Sequence, residues 1–291
     1  MRRSLTRSRE VVIPRPLPRE RGLASSEGGC DIAWYRYGHG DRVVVFFPTW
    51  NVVDARVVGS QVEYLAERCT VITYDARGSG ASDRPSTGYG FSAHVADGIA
   101  VLDANEVDHA AVVTASRGFN PAAIAAVENP ARIDRVAAVA PYVPLEPPDE
   151  EPASSEADES GEERDWFSDE VWRTDWPGFS RFFMQLCFSE PGSEALIEEM
   201  IEIMLDASPE IQIVQRTETD WARVPALLPL LTCPTLIIQG DSDHSTPLAA
   251  VSAIADRIPD AQLQIIPGGG HRPDIRTPDR VNPLLADFLL T

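Results

Sequence analysis

The sequence predicts an α/β protein with a mostly parallel β-sheet flanked by helices. Short runs rich in β-branched residues alternate with longer helical patterns, as in successive βαβ units. Several of the short runs, such as residues 43–47, are apolar without interruption, which is typical of parallel strands buried on both faces. The alternation breaks once, between about Tyr142 and Pro229, and this indicates an insertion into the sheet domain.

The apolar runs and helical periodicities give an expected order of elements. We expect strands at residues 31–37, 42–47, 70–74, 110–114, 135–140, 235–239 and 262–266. We expect helices at residues 57–68, 92–104, 118–128, 248–257 and 279–290. A core domain made of residues 26–141 and 229–291 follows from this order.

Residues 142–228 are expected to form a helical cap inserted into the core. The stretch 146–170 holds twelve acidic residues and one basic residue, Arg164, and it predicts a mobile or loop-like segment. Aromatic residues are dense after it, and residues 193–207 have the pattern of an amphipathic helix. The aromatic residues are expected to attach the cap to the core and to form the apolar wall of a substrate pocket.

Residues 1–25 are expected to be a flexible basic arm. The first 21 residues contain seven arginines and two acids, and they lack the apolar stretch of a signal peptide. No apolar run in the sequence approaches the roughly 20 residues that span a bilayer. We therefore expect a cytoplasmic protein without membrane partners.

The charge and the cysteines exclude several classes of function. The net charge of −20 would repel phosphate groups, so nucleic-acid binding is not expected. The four cysteines are widely separated and lie outside metal-ligand spacings, so a metal site is not predicted. No cofactor is predicted either. The expected partner is a small-molecule substrate, and the sequence leaves the oligomeric state open.

Ser116 is the candidate nucleophile. It follows an apolar strand and precedes Gly118 and an Ala-rich helix, which is the layout of the nucleophile elbow Gly-x-Ser-x-Gly. The elbow presents the hydroxyl at the carboxyl end of the sheet, above a helix N-terminus that favours negative charge. Thr114 departs from the usual first glycine. A serine here also suits helix capping, and the turn taken alone leaves both interpretations open.

A base and an acid follow in the C-terminal region. His271 ends a Gly-rich loop after the last predicted strand, and it is the candidate base for a serine that is otherwise a poor nucleophile. Asp243 follows another buried strand in a Gly-x-x-Asp pattern and is the candidate acid that orients the imidazole. Asp241 is the alternative acid, with turn formation as its other role.

Two further segments connect these residues to a known family. Residues 75–83 resemble the Asp-x-Arg-Gly-x-Gly-x-Ser loop of α/β-hydrolases, and they lack the glycine and lysine pattern of a phosphate loop. Residues 48–50, Pro-Thr-Trp, stand where most members have His-Gly. They are similar to a subgroup that is often described together with adenylate or guanylate cyclase domains. The resemblance covers roughly residues 30–145 and 225–290, and the order Ser116, Asp243, His271 is that of the family.

The resemblance implies an α/β-hydrolase fold and a serine esterase that works without a cofactor. It assigns catalysis to Ser116, Asp243 and His271. The backbone N–H groups of Trp50 and Arg117 would bind the oxyanion. The Trp50 side chain would line the substrate pocket, with an ordinary core position as the alternative.

Three alternatives stay open at the level of the sequence. The same triad also serves C–C or amide hydrolysis, acyl transfer and cofactor-free perhydrolysis. A non-catalytic protein that kept the fold as a ligand sensor is a second alternative, which Thr114 and Phe119 favour. In the third alternative, the acidic stretch 146–170 binds a basic partner. The other interpretation of this stretch is a solvated loop.

Overall fold

A computed structural model describes residues 12–145, 155–157 and 163–291. Its centre is an eight-stranded sheet, and a separate pair of short strands lies in the insert. The strands of both sheets are β1 (Glu20–Ser25), β2 (Asp31–Gly38), β3 (Val43–Phe46), β4 (Thr70–Tyr74), β5 (Ala110–Ala115), β6 (Ile133–Val139), β7 (Ser155–Ala157), β8 (Glu163–Asp165), β9 (Thr235–Gly240) and β10 (Ala261–Ile266).

Helices alternate with the strands on both faces of the sheet, and five of them fall within the insert. They are α1 (Gly59–Leu65), α2 (Phe91–Ala104), α3 (Phe119–Glu128), α4 (Asp169–Thr174), α5 (Trp176–Cys187), α6 (Glu194–Met204), α7 (Pro209–Glu218), α8 (Arg223–Leu227), α9 (Leu248–Ala255), α10 (Pro273–Arg276) and α11 (Pro278–Leu289).

The large sheet has the order β1-β2-β4-β3-β5-β6-β9-β10. β1 and β2 pair antiparallel, β2 also pairs antiparallel with β4, and the remaining neighbours are parallel. The predicted α/β class and its mainly parallel sheet are therefore confirmed. Because parallel strands end at one edge, the segments that follow β3, β5, β9 and β10 meet at the same side of the molecule.

Alternate residues of each central strand enter two apolar cores. In β3, Val45 points into the core beneath α2 and α3, and Val44 points into the core beneath α1 and α11. The two-residue period of a strand produces this division. It also explains why β5 is buried along its whole length.

All seven predicted strands and all five predicted core helices are present, with boundaries that differ by a few residues. The largest difference is at α1, predicted at residues 57–68. A 3-10 turn, Ala55–Val58, occupies its first residues, and α1 ends at Leu65. The Asp54 carboxylate begins this turn by accepting a hydrogen bond from the backbone N–H of Arg56.

The expectation of a flexible arm over residues 1–25 is wrong for residues 20–25, which form β1 at the edge of the sheet. The strand pairs with β2, and of its six residues only Ala24 is buried. Ile13, also assigned to the arm, is buried against the insert. Residues 1–11 lie outside the described residues.

A third apolar core lies mostly within the insert, and residues of the sheet domain such as Ile13, Val53 and Ile275 complete it. The aromatic residues of α4 and α5 pack together, and Trp166 and Phe182 stack with ring centroids 4.9 Å apart. The apolar face predicted for residues 193–207 is buried in α6, at Leu196, Met200, Ile203 and Met204. The division at residues 142 and 228 into core and cap stays a prediction.

Most of the predicted acidic stretch 146–170 lies outside the described residues. β7 and β8 pair antiparallel at its centre and end. Arg164 forms an ion pair with Asp175 and lies over the Trp166 ring. Of the helices in the described ranges, none is both long enough and apolar enough to cross a membrane.

Candidate active site

Ser116 lies on a sharp turn between β5 and α3. The turn is a 3-10 segment, Ser116–Gly118, that follows the last residue of the strand directly. Ser116 has a φ of +50°, in the left-handed region that residues other than glycine rarely adopt. Such local strain persists where the surrounding structure fixes the backbone, and it raises the hydroxyl above the sheet edge.

Gly118 is required by close packing against a neighbouring loop. A Cβ atom at this position would collide with the Pro48 carbonyl oxygen and with the Thr114 hydroxyl oxygen. The unusual Thr114 is thus accommodated because its side chain occupies space that Gly118 leaves open. Thr114 is buried in β5, so the departure from Gly-x-Ser-x-Gly leaves the turn itself intact.

The structure brings Ser116, His271 and Asp243 into one hydrogen-bonded chain. Ser116 Oγ lies 2.9 Å from His271 Nε2. His271 Nδ1 lies 2.9 Å from Asp243 Oδ2. The imidazole and the carboxylate are both buried, so bulk water does not compete for either bond. The three side chains come from the ends of β5, β9 and β10, as the parallel topology requires.

The Asp243 carboxylate is held in its charged form by several donors. Burial alone would raise the pKa of Asp243, but the hydrogen bond and charge of His271 and the Thr246 N–H outweigh it and lower that pKa. Oδ1 accepts from the backbone N–H groups of Ser245 and Thr246 at 2.8 Å, and Oδ2 accepts from Gln239 Nε2 at 3.0 Å. A charged carboxylate in this position stabilises an imidazolium.

Asp241, the alternative acid, lies elsewhere. Its side chain is exposed and accepts a hydrogen bond of 2.7 Å from the backbone N–H of Gly268. It therefore shapes the turns after β9 and β10.

The loop before His271 depends on two close contacts. A Cβ atom at Gly240 would collide with the carbonyl oxygens of Gly269 and Gly270, so the end of β9 and this loop touch through their backbones. From the insert, Glu190 Oε1 accepts a hydrogen bond of 2.7 Å from the Gly270 N–H. The backbone immediately before His271 is thus held from the sheet and from the insert.

The Pro48-Thr49-Trp50 loop lies against the elbow. The position of a Cβ on Gly118 falls close to the Thr49 Cα and the Pro48 oxygen, which places the two segments in direct contact. The Trp50 ring packs against Phe183 and Trp172 of the insert, with centroids 5.2 and 6.1 Å away. It also lines a small cavity beside the elbow. The assignment of Trp50 to the substrate pocket stays a prediction.

Arg117 connects the elbow to the insert. Its guanidinium lies over the Trp221 ring at 4.4 Å and the Phe91 ring at 5.5 Å, and it donates a hydrogen bond of 2.5 Å to Thr219 Oγ1. The backbone of Arg117 belongs to the turn that precedes α3. Its assignment as an oxyanion donor, like that of Trp50, stays a prediction.

The loop after β4, which contains residues 75–83, is braced by hydrogen bonds and an ion pair. Asp75 accepts hydrogen bonds from the backbone N–H groups of Ala55 and Ala81 and from the Tyr35 hydroxyl. Burial raises the pKa of Asp75, against the lowering effect of these donors. Arg77 forms a buried two-bond ion pair with Asp97. The loop thereby supports the neighbouring Trp50 segment, because the Arg77 carbonyl accepts from Asn51.

Three polar residues near the site were not singled out from the sequence. Glu190 and Gln215 belong to the insert, and His94 belongs to α2. No motif surrounds them, and their partners are 80 to 165 residues away along the chain. Only the folded arrangement identifies them.

The family model for the alpha/beta hydrolase fold matches residues 43–273. A protein of Synechocystis sp. with the provisional name non-heme chloroperoxidase is 31% identical over 232 residues, covering 75% of this chain and 80% of that protein. A Caulobacter protein with the provisional name carbamate hydrolase RutD is 26% identical, covering 79% and 84%. Among solved structures, Est816, titled an N-acyl homoserine lactone degrading enzyme, is 26% identical with a TM-score of 0.75, covering 92% and 100%.

The matched range includes the elbow, the acid, the base and the Pro-Thr-Trp loop. Other solved neighbours, including an esterase of Rhodococcus sp. with a TM-score of 0.79, share the fold. The predicted family and the general class of hydrolase are confirmed. The chain belongs to the α/β-hydrolase fold family.

Proposed function

We propose that the protein hydrolyses carboxylic esters through an acyl-enzyme formed on Ser116. The observation that carries this proposal is the continuous pair of 2.9 Å hydrogen bonds from Ser116 through His271 to Asp243. A serine hydroxyl needs an adjacent base to attack a carbonyl, and that base needs a group to hold its tautomer. The strained turn at Ser116 supports the same role.

The reaction takes two steps. In the first, His271 Nε2 accepts the Ser116 proton while Oγ attacks the ester carbonyl carbon, and His271 then protonates the departing alcohol. In the second, His271 removes a proton from water as the water attacks the acyl carbon, and it then returns that proton to Ser116 Oγ, which releases the acid and restores Ser116 and His271. Asp243 stays ionised throughout and stabilises the imidazolium.

The backbone N–H groups of Trp50 and Arg117 are proposed to hold the oxyanion of each tetrahedral intermediate. The contact of Gly118 with residues 48 and 49 supports this role, because it brings the two donor segments to one place. Donors already fixed by the fold stabilise developing charge without reorganisation.

The substrate is proposed to be a small ester with an apolar part. Support comes from the apolar wall beside the elbow, to which the rings of Phe47, Trp50 and Phe91 contribute. The aromatic core of the insert adjoins the same wall through Trp50. Est816, named for lactone degradation, gives a related precedent among similar chains, since a lactone is a cyclic ester.

Perhydrolysis is a second candidate. The Synechocystis relative that carries the name non-heme chloroperoxidase favours it. In this reaction hydrogen peroxide replaces water as the attacker of the acyl-enzyme, and the product is a peracid and restored Ser116. Both candidates use the same first step, so a comparison of acid and peracid formation from one ester separates them.

Labelling with a fluorophosphonate probe tests the shared first step. We expect one probe per chain, located by mass spectrometry on Ser116, because the attack on phosphorus needs the same base and the same oxyanion donors. His271→Ala provides the matched control and should slow labelling strongly. A folded protein in which Ser116 stays unlabelled would exclude catalysis and favour a ligand-binding role.

A further inference from the structure

Helix α7 of the insert directs two buried glutamines at the Pro-Thr-Trp loop. Gln212 donates from Nε2 to the Asn51 carbonyl oxygen at 3.4 Å. Gln215 accepts at Oε1 from the Trp50 indole N–H at 2.8 Å. Gln212 and Gln215 are 1% and 3% exposed, so water does not replace these bonds. A buried glutamine is costly unless its amide is used, which makes the second end of Gln215 informative.

That second end reaches His94 of α2. Because an indole N–H only donates, Oε1 of Gln215 faces Trp50 and its Nε2 amide faces His94 Nε2, at 3.1 Å. The amide donates, so His94 Nε2 must be the acceptor and the ring proton lies on Nδ1. Burial lowers the pKa of His94 to about 4, which agrees with a neutral ring at pH 7. The direction of every bond in the chain is therefore defined.

The hydrogen-bonded series Trp50–Gln215–His94 connects three separate elements at one point. Trp50 lies on the loop after β3, Gln215 on α7 and His94 on α2, all at the wall of the cavity beside the elbow. The Trp50 ring is also enclosed by Phe183 and Trp172. The aromatic contacts restrict the plane of the ring, and the hydrogen bond to Gln215 fixes the direction of its N–H.

We propose that Gln215 is a positioning residue, which holds Trp50 and thereby sets its backbone N–H for the oxyanion. This inference rests on the proposed function, in which that N–H binds developing negative charge. It assigns to the insert a part in transition-state stabilisation, beyond the enclosure of the substrate. Gln212 supports the same loop from the preceding turn of α7.

Gln215→Met tests the proposal, since methionine has a similar length and makes neither hydrogen bond. We expect kcat to fall about 10- to 100-fold with KM within about twofold, because an oxyanion donor acts mainly in the transition state. Ser180→Ala is the matched control: Ser180 is buried in the same insert, and its hydroxyl donates to the Trp176 carbonyl within α5. It should leave kcat unchanged, and melting temperatures of both variants report folding.

Trp50→Phe completes the test, because phenylalanine keeps an aromatic ring and the backbone N–H but lacks the indole N–H. If Gln215 acts through Trp50, the double variant should be no slower than the slower single variant. The proposal would be overturned if the decreases in kcat of the two single variants multiplied in the double variant. An unchanged kcat in Gln215→Met would overturn it as well.

A readout without catalysis separates this inference from the proposed function. In ¹⁵N-labelled protein, the Trp50 indole resonance is identified by its loss in Trp50→Phe, and its hydrogen exchange should accelerate about tenfold or more in Gln215→Met. Unchanged exchange would refute the positioning role. Faster exchange in a protein that neither hydrolyses esters nor reacts at Ser116 would instead refute the proposed function and the oxyanion role with it.

Discussion

The sheet core and the insert between β6 and β9 contribute to the site by different means. The core supplies Ser116, Asp243 and His271 from the ends of adjacent parallel strands, where backbone geometry fixes each side chain. The insert supplies Gln215 and Glu190, whose side chains hold groups that belong to the core. Under the proposed function, the core would carry the chemistry and the insert would adjust the alignment of the core groups.

If this division is correct, loss of the core nucleophile or base should have the largest effect. Ser116→Ala and His271→Ala should each lower kcat/KM by roughly 10⁴- to 10⁶-fold. The double variant should be little worse than either, because the triad acts as a unit. Steady-state kinetics on a short-chain aryl ester measures this, and a double variant that multiplies the two losses would argue against joint action.

The two aspartates after β9 sharpen the comparison within the core. Asp243→Asn should lower kcat by roughly 10³- to 10⁴-fold, since it removes the charge that stabilises the imidazolium and favours the wrong tautomer. Asp241→Asn should change kcat by less than about threefold, because Asp241 bonds only at the turn. The reverse ranking in kinetic assays would mean that the acid has been misassigned.

Gly118→Ala tests the contact between the elbow and the Pro-Thr-Trp loop. The added methyl group meets backbone at Pro48, which cannot move as a flexible side chain does. Overpacking of this kind should lower the free energy of unfolding by about 1–3 kcal/mol and displace the oxyanion donors. Urea denaturation and kcat measure the two effects. A variant with wild-type values for both would show that the contact is looser than described.

His94 gives a smaller, pH-dependent effect. Burial lowers its pKa from 6.5 to about 4. The charges of Arg77 and Arg117 also lower this pKa, and the charge of Asp97 raises it. Between about pH 6.5 and pH 4 the unfolded chain therefore binds a proton that the folded chain does not, so stability falls as the pH is lowered through this window. We expect His94→Asn to remove about 3 kcal/mol of that decline, because each pKa unit between 6.5 and 4 corresponds to about 1.4 kcal/mol. Urea titrations at several pH values measure the free energy of unfolding of both proteins. The same dependence on pH in both would contradict the burial of a neutral ring.

Sequence reasoning succeeded where local patterns determine structure. The apolar runs of β3, β5 and β9 predicted the parallel sheet, and the strand ends then placed Ser116 and Asp243 at one edge. It failed for β1, because an edge strand paired on one side carries only a weak pattern and Leu23 there is 60% exposed. Gln215 and Glu190 could not be identified from the sequence, since neither a polar residue on a cap helix, such as Gln215, nor one in a loop between helices, such as Glu190, belongs to a pattern that reveals a distant partner.

In the proposed mechanism Ser116 carries the acyl group during turnover, and rapid quenching measures this directly. Mixing the protein with excess p-nitrophenyl acetate should give a burst of nitrophenol up to one equivalent when deacylation is slow. In samples quenched during turnover, the peptide that contains Ser116 should be heavier by one acetyl group. Ester hydrolysis without an acetyl group on Ser116, or folded protein without hydrolysis of any ester tested, would contradict the account.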